Sequence, residues 1–328
     1  MKKLILLTLI VMMSASALAA DIFVLRRGNT LERNVDSATL IQFNTNGEMV
    51  SSWSIPLDEI RLRRFATDRY ISLSADENYI VFHGFKQSRK NIPVFGTFNI
   101  AEKEIKLMQI TGEELLQRAI TSIDGNQFFY AGRTNFDGIR MIDADLIIPD
   151  TGFTTVTFAL QQLKILNEKL WFSRGTGDLL HGLFYIPLEN IFTATGFVDI
   201  TPLTGQGWRE QTGEYRDFDF VFEENLLFVG GTLNNGNKGI EVFEFDEIEN
   251  TWDLIDELVV NTTENLIGIQ AINNDGIVTL YYNTRQNINK VEYNTTIAIA
   301  EQRWTESINV VSDFLRVGEN WSGIVVVK

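Results

Sequence analysis

The chain has 328 residues, 43 of them acidic and 28 basic, for a net charge of −15, with two histidines and no cysteine. The length is ample for a self-supporting core. The missing cysteine excludes thiol catalysis, thiolate metal sites and disulfide staples, two histidines cannot build a histidine-rich zinc site, and the acidic field repels nucleic acid and anionic membrane surfaces.

Lys2 and Lys3 precede an apolar run from Leu4 to Met13, and Ala17-Leu18-Ala19 reads as a small-x-small cleavage site. The run is too short to span a bilayer as a helix. The expectation is a bacterial export signal over 1–19 and one mature domain over 20–328, in the periplasm or the medium. No second long apolar run follows, so membrane insertion is not expected.

Ile22 to Gly28 opens the mature chain as a short apolar strand. Leu40 to Phe43 and Met49 to Ile55 flank Asn44-Thr45-Asn46-Gly47, as a hairpin requires. The phrase Ser74-Ala-Asp-Glu-Asn-Tyr-Ile-Val-Phe-His-Gly84 then joins a polar turn to an apolar run. It returns as Ser122-Ile-Asp-Gly-Asn-Gln-Phe-Phe-Tyr-Ala-Gly132, and more loosely in 166–175, 222–231 and 274–282. Ile110 to Arg118 has room for a helical turn. Arg118 to Ser122, Phe128 to Ala131, Gly138 to Ile142 and Thr154 to Phe158 read as successive strands. So do Phe218 to Phe222, Leu226 to Val229, Gly239 to Phe245 and Thr251 to Ile255, with a turn at Asn234-Asn-Gly-Asn237.

The phrases end at Gly84, Gly132, Gly175, Gly231 and Tyr282, about 50 residues apart, a period that marks a propeller. Counting Ile22–Gly28 as a sixth copy makes the chain a circle. The apolar run Gly323-Ile-Val-Val-Val-Lys328 reaches the last residue, so a strand from Ser322 to Val327 is expected to start the blade that the N-terminal strands finish. The predicted fold is all-β: a six-bladed β-propeller closed by pairing of N- and C-terminal strands. Seven blades is the alternative, because the wider gaps leave room for irregular strands. Trp171, Phe172, Phe129 and Phe228 are expected between blades, where large flat side chains fill space.

Tyr70-Ile-Ser-Leu-Ser-Ala-Asp-Glu-Asn-Tyr-Ile-Val-Phe-His-Gly-Phe85 resembles the L-S-x-D-G-R-Y-L repeats of an exported bacterial β-propeller family. Gly138-Ile-Arg-Met141 and Gly323-Ile-Val325 are similar to the G-V-R-Y and terminal G-V-A strands of that family. The resemblance implies an exported propeller without an assigned activity. WD, kelch and aspartate-box signatures do not occur.

No Gly-x-Ser-x-Gly elbow accompanies His83 or His181. The spacing of Asp143, Asp145 and Asp150 does not fit an EF-hand loop and reads as solvated surface. Arg61, Arg63 and Arg64 read as an inter-blade or surface group. Asn261-Thr-Thr, Asn294-Thr-Thr and Asn320-Trp-Ser match the glycan acceptor pattern, which matters only in a eukaryotic source. The channel mouth, where loops from every blade converge, is the default site. The residues just before each innermost strand are the ligand-binding candidates: Arg69, Arg118, Gln161, Arg216 and Asp217. Arginines there suit an anionic or sugar-like ligand; the competing role is salt-bridging between blades.

No cofactor or metal is assigned, with calcium kept as an option in the channel. The leading expectation is a monomeric, exported, noncatalytic protein binding a small molecule, glycan or protein. The first alternative is a propeller hydrolase, lactonase or lyase using channel carboxylates, with or without calcium. The second is a structural part of a cell-envelope assembly.

Overall fold

A computed structural model describes residues 20–328 except 29–34, 37, 56–59, 61, 64–70, 87–91, 111–115, 134–138, 144–158, 177–181, 194–200, 205–214, 234–235, 261–265, 298–301, 312–314 and 316–319. The strands in chain order begin with β1 (Asp21–Arg27), β2 (Val35–Asp36), β3 (Ala38–Phe43), β4 (Met49–Ile55) and β5 (Leu62–Arg63). Next come β6 (Ile71–Leu73), β7 (Tyr79–Lys86), β8 (Ile92–Asn99) and β9 (Glu104–Gln109), then β10 (Leu116–Ser122), β11 (Phe128–Arg133) and β12 (Ile139–Ile142). β13 (Ala159–Leu166), β14 (Lys169–Thr176), β15 (Gly182–Pro187), the single-turn helix α1 (Leu188–Thr193) and β16 (Thr201–Pro202) follow. The chain ends with β17 (Tyr215–Val221), β18 (Leu226–Thr232), β19 (Lys238–Asp246), β20 (Thr251–Val259), β21 (Gly268–Asn274), β22 (Ile277–Asn283), β23 (Ile288–Asn294), β24 (Ile308–Val311) and β25 (Asn320–Val327).

These strands form six antiparallel blades. Blade 1 is β25-β1-β3-β4, blade 2 is β6-β7-β8-β9 and blade 3 is β10-β11-β12. Blade 4 is β13-β14-β15-β16, blade 5 is β17-β18-β19-β20 and blade 6 is β21-β22-β23-β24; β2 and β5 make a separate two-stranded ribbon. Each blade is a meander with its first strand innermost. Blade 1 is the exception in chain order, because its innermost strand is the C-terminal β25. Asp21 to Val24 pair with Val327 to Ile324, which is the closure that the two terminal apolar runs predict.

Burial along the strands follows from this ring. A strand between two neighbouring blades has no solvent face, so β3 is buried at every position, as expected of a continuous apolar run. Outer strands have one wet face, and β4 and β9 alternate accordingly. Alternate residues of β1 serve opposite neighbours. Phe23 and Leu25 pack with Ile80 and Phe82 of blade 2, whereas Ile22 and Val24 pack with Tyr281 and Ile288 of blade 6. The described core divides into one such cluster at each blade-to-blade interface around the ring, six in all. Among the described residues, six blade sheets and six interfaces close the ring, which decides against a seventh blade. Trp171, Phe172, Phe129 and Phe228 lie in these clusters, as expected.

The repeated Ser-x-Asp phrase is a turn device. Ser74 Oγ donates to Asp76 Oδ1 at 2.6 Å and accepts the Tyr79 amide at 2.9 Å, closing the turn from β6 to β7. In the next copy Ser122 Oγ donates to the Gln127 carbonyl at 2.7 Å, and Asp124 Oδ1 accepts the amides of Asn126 and Gln127. The two copies also touch: the amides of Ala75 and Asp76 donate to the carbonyls of Ser122 and Ile123. A phrase selected for a local turn thus links consecutive blades.

Some boundaries differ from the sequence reading. Leu116 to Arg118 belong to β10, not to a helical turn, because the chain pairs with β11 there. Phe222, expected at a strand end, opens a 3₁₀ turn through Glu224 that Asn225 ends in a left-handed conformation. The expected outer strand at 154–158 and the 1–19 signal lie outside the described residues.

Gly96 on β8 marks a close approach. A Cβ built there falls 2.1 Å from the ring of Phe82, which is fully buried. Gly96→Ala is expected to cost about 1–3 kcal/mol by overpacking, read as a lower urea midpoint with unchanged slope.

Candidate active site in the central channel

The channel wall consists of β25, β6, β10, β13, β17 and β21. Each pairs with the second strand of its blade on one edge only. The other edge leaves backbone N–H and C=O groups that need partners. Side chains of neighbouring inner strands supply several of them. Ser72 Oγ donates to the Ile120 carbonyl at 2.9 Å. Asp217 Oδ2 accepts the Ile269 amide at 2.8 Å, and Asp219 Oδ2 accepts the Ala271 amide at 2.7 Å.

Lys164 completes this arrangement across three blades. It leaves β13 and donates to the carbonyl of Phe218 on β17 at 2.5 Å and to that of Ile269 on β21 at 3.1 Å. Its ammonium also stands 3.2 Å from Asp217 Oδ1 and 3.9 Å from Asp219 Oδ1. Two carbonyls and the near carboxylate match the three hydrogens of the ammonium. Asp217 is saturated too, since its Oδ1 also accepts the Phe218 amide at 2.9 Å. Asp219 is less tightly held. Its Oδ2 accepts Gln270 Nε2 at 2.9 Å beside the Ala271 amide, while Lys164 stands off from Oδ1.

These three groups are almost wholly removed from water. Burial pushes the Asp217 carboxyl up, and Lys164 beside it pulls back. Asp219 is pushed up to about 6, again by burial first, with Lys164 and the Ala271 amide opposing and Asp217 adding to the rise. The wall therefore holds a close Lys164–Asp217 ion pair and a second carboxyl that titrates near neutrality.

Asp219 borders a cavity of about 190 Å³ inside the ring. Ser72, Ser74, Glu77, Lys164 and Gln270 contribute its polar lining, and Ile165, Ile324 and Val325 much of its apolar side. Elsewhere on the inner strands the hydroxyls of Thr121 and Ser322 are buried without a hydrogen-bond partner among the described residues. A buried hydroxyl without a protein partner is a place for water or ligand.

The residues singled out from sequence distribute unevenly. Arg69 lies outside the described residues. Arg118, Gln161 and Arg216 do not precede the inner strands; they lie within β10, β13 and β17. The register skips each of them: Gln117 and Ala119 pair with consecutive residues of β11, Leu160 and Gln162 with consecutive residues of β14, and Tyr215 and Asp217 with consecutive residues of β18. All three are thus the extra residue of a β-bulge, a device that re-aims a side chain and recurs beside active sites. Their side chains lie outside the described residues. Asp217 is not at a strand entrance but inside β17, buried against Lys164. His83 is buried in β7, the second strand of blade 2, and His181 lies outside the described residues, as do Asp145, Asp150, Arg61 and Arg64. Arg63 sits in the small ribbon opposite Val35. Among the described residues, no three His, Asp or Glu side chains converge as a metal site requires, and no helix is long and apolar enough to cross a membrane.

Sequence reasoning missed Lys164, Asp219 and Gln270. A signal was present: Arg216-Asp-Phe-Asp-Phe220 alternates carboxylates with phenylalanines, and Lys164 sits among Leu163, Ile165 and Leu166. Charges at alternate positions of a strand share one face of its sheet, here the face turned to β21.

No protein-family model matches the sequence, and no curated protein does. Solved structures match in fold. A periplasmic gluconolactonase of Pseudomonas aeruginosa is 10% identical, with a TM-score of 0.50 over 89% of this chain and 83% of that one. A Bacteroides uniformis protein provisionally named a 6-phosphogluconolactonase is 11% identical, with a TM-score of 0.52 over 94% and 99%. A hypothetical selenium-binding protein of Sulfolobus tokodaii is 10% identical, with a TM-score of 0.52 over 90% and 75%. The chain therefore shares its propeller fold with a wide set of microbial proteins that includes lactonases.

Proposed function

We propose that the central channel is the active site of a hydrolase acting on a small ester, with cyclic esters (lactones) as the substrate class. This reading takes up the first alternative left by the sequence, in preference to a noncatalytic binder. The observation that carries it is Asp219, a carboxyl pushed up to about 6 on the wall of the channel cavity. A general base works best when its pKa lies near the operating pH, and an ordinary surface aspartate is too weak a base for that work. The names of two proteins that share the fold support the substrate class.

In this mechanism Asp219 takes a proton from a water held in the cavity. The hydroxide formed attacks the ester carbonyl carbon. The tetrahedral intermediate collapses by breaking the bond to the ring oxygen, which takes the proton back from Asp219 as it leaves. Lys164 has its three hydrogens engaged. It therefore acts through its charge, favouring the anionic intermediate in a low-dielectric site. Ser72, Ser74 and Gln270 offer polar groups to orient the substrate. The bulged Arg118, Gln161 and Arg216 are proposed to select anionic or hydroxylated substrates at the channel, so Arg118→Ala and Arg216→Ala should raise KM more than they lower kcat.

The test is hydrolysis of glucono-δ-lactone and simple γ-lactones by the purified protein, followed by acid release. The native protein should outpace buffer, and Asp219→Asn should lower kcat by at least about 100-fold. kcat should fall below about pH 6 as Asp219 takes up a proton. Lactone binding without turnover would instead support the noncatalytic reading. A native protein that neither binds nor hydrolyses any of these lactones would overturn the proposal.

A further inference from the structure

We infer a second ligand site, for a neutral sugar, in an aromatic cavity between blades 4 and 5. It is separate from the chemistry assigned to Asp219 and does not depend on it. The cavity measures about 520 Å³, within the range of roughly 300–1,000 Å³ of small-molecule sites. Trp171, Tyr185, Phe222, Phe245 and Trp252 line it. They come from β14, β15, the turn after β17, β19 and β20, so the cavity exists only where the two blades meet.

The rings form a continuous wall. Trp171 and Tyr185 lie 4.8 Å apart between centroids, and Phe245 and Trp252 5.2 Å apart. Phe220 bridges the two halves beneath, 4.4 Å from Trp171, 5.0 Å from Phe222 and 5.4 Å from Trp252. Trp171 is buried, whereas Tyr185, Phe222, Phe245 and Trp252 are only half-buried and keep surface toward the cavity. Flat apolar walls of this kind match the C–H faces of a pyranose ring.

The rest of the lining is polar and mostly neutral. Asn167, Asn225 and Asn250 stand at the tips of three turns, with φ of 48°, 53° and 54°. Their exposed amides make no side-chain hydrogen bond among the described residues. The hydroxyls of Thr201 and Thr204 add to the same lining. Amides and hydroxyls both donate and accept, which is what the hydroxyl rim of a sugar needs. The one charged residue of the lining is Lys169, whose ammonium lies 4.7 Å from the Tyr185 ring centroid. That cation occupies an aromatic face a cationic ligand would require, so a cationic ligand is disfavoured. A purely apolar ligand would strip water from the amides and hydroxyls without replacing it. Asn167 also borders the channel cavity, so the two cavities adjoin.

The backbone offers a clean test. Glycine adopts the left-handed conformation readily, so replacing Asn167, Asn225 and Asn250 together by Gly removes three amides without strain. Maltose, cellobiose and lactose would be titrated by calorimetry into the native protein, this triple variant and Trp252→Ala. At least one disaccharide should bind the native protein saturably, and both variants should bind it about tenfold or more weakly. Failure of all three to bind, or native affinity in the triple variant, would overturn the inference. Because the triple variant leaves the aromatic core intact, its result stands even if Trp252→Ala does not fold.

Discussion

Truncation after Ser322 is expected to unfold the whole ring at temperatures where the native protein is stable. The six residues removed carry Ile324, Val325 and Val326, all buried, and the ladder partners of Asp21 to Val24. Burying three such side chains stabilises by on the order of 5 kcal/mol, much of the total stability of an ordinary domain. The loss is not local. Val325 packs in the cluster between blades 1 and 2, and Ile324 and Val326 in the cluster between blades 6 and 1. Removing most of β25 therefore opens two interfaces and leaves Asp21 to Val24 of β1 unpaired on that edge. Circular dichroism of the truncated protein should show no cooperative melt near the native midpoint. An unchanged melting temperature would show that the tail contributes nothing to closure.

Replacing Lys164 by Met is expected to cost about 3–5 kcal/mol near pH 7, because it strands two buried carboxylates without a counter-charge. The loss should shrink in acid, and the sign follows from the raised carboxyl pKa values. Asp219 titrates at about 6 when folded, above its ordinary 3.8. The folded protein thus holds a proton there that the unfolded chain has already released. Its contribution to stability is greatest below the unfolded value and declines as pH rises through about 6. Without Lys164 both carboxyls lose the group that pulls them down, so protonation relieves more of the damage. Denaturant unfolding of Lys164→Met at pH 5 and pH 8, against the native protein, measures this. An equal deficit at both pH values would mean that Lys164 acts through packing alone.

The ring and its closure were legible in sequence because both depend on local, repeated chemistry. Ser74 and Ser122 each serve a turn a few residues long, and that turn appears in two consecutive blades, with looser turns at the same place in blades 4, 5 and 6. Ile22–Leu25 and Ile324–Val327 declared themselves as apolar runs that need strand partners. The channel site was only half legible. Arg118, Gln161 and Arg216 stood out at equivalent places in three units, and those places prove to be bulges. Lys164 and Asp219 did not stand out, because their significance lies in partners far away in sequence: Lys164 reaches carbonyls 54 and 105 residues on. The aromatic cavity was hidden for the same reason. Tyr185 and Trp252 are ordinary strand residues until blades 4 and 5 meet, and the sequence period carries no information about which faces leave a gap.

The chemistry proposed for the channel rests on one carboxyl being a base near neutrality. The titration of Asp219 itself is therefore the most direct test. Carbonyl-carbon chemical shifts of the aspartate side chains, followed by NMR from pH 3 to pH 8, would be assigned by comparison with Asp219→Asn. The account predicts that the signal missing from the variant titrates with a midpoint near 6. A midpoint at the ordinary aspartate value of 3.8 would contradict it.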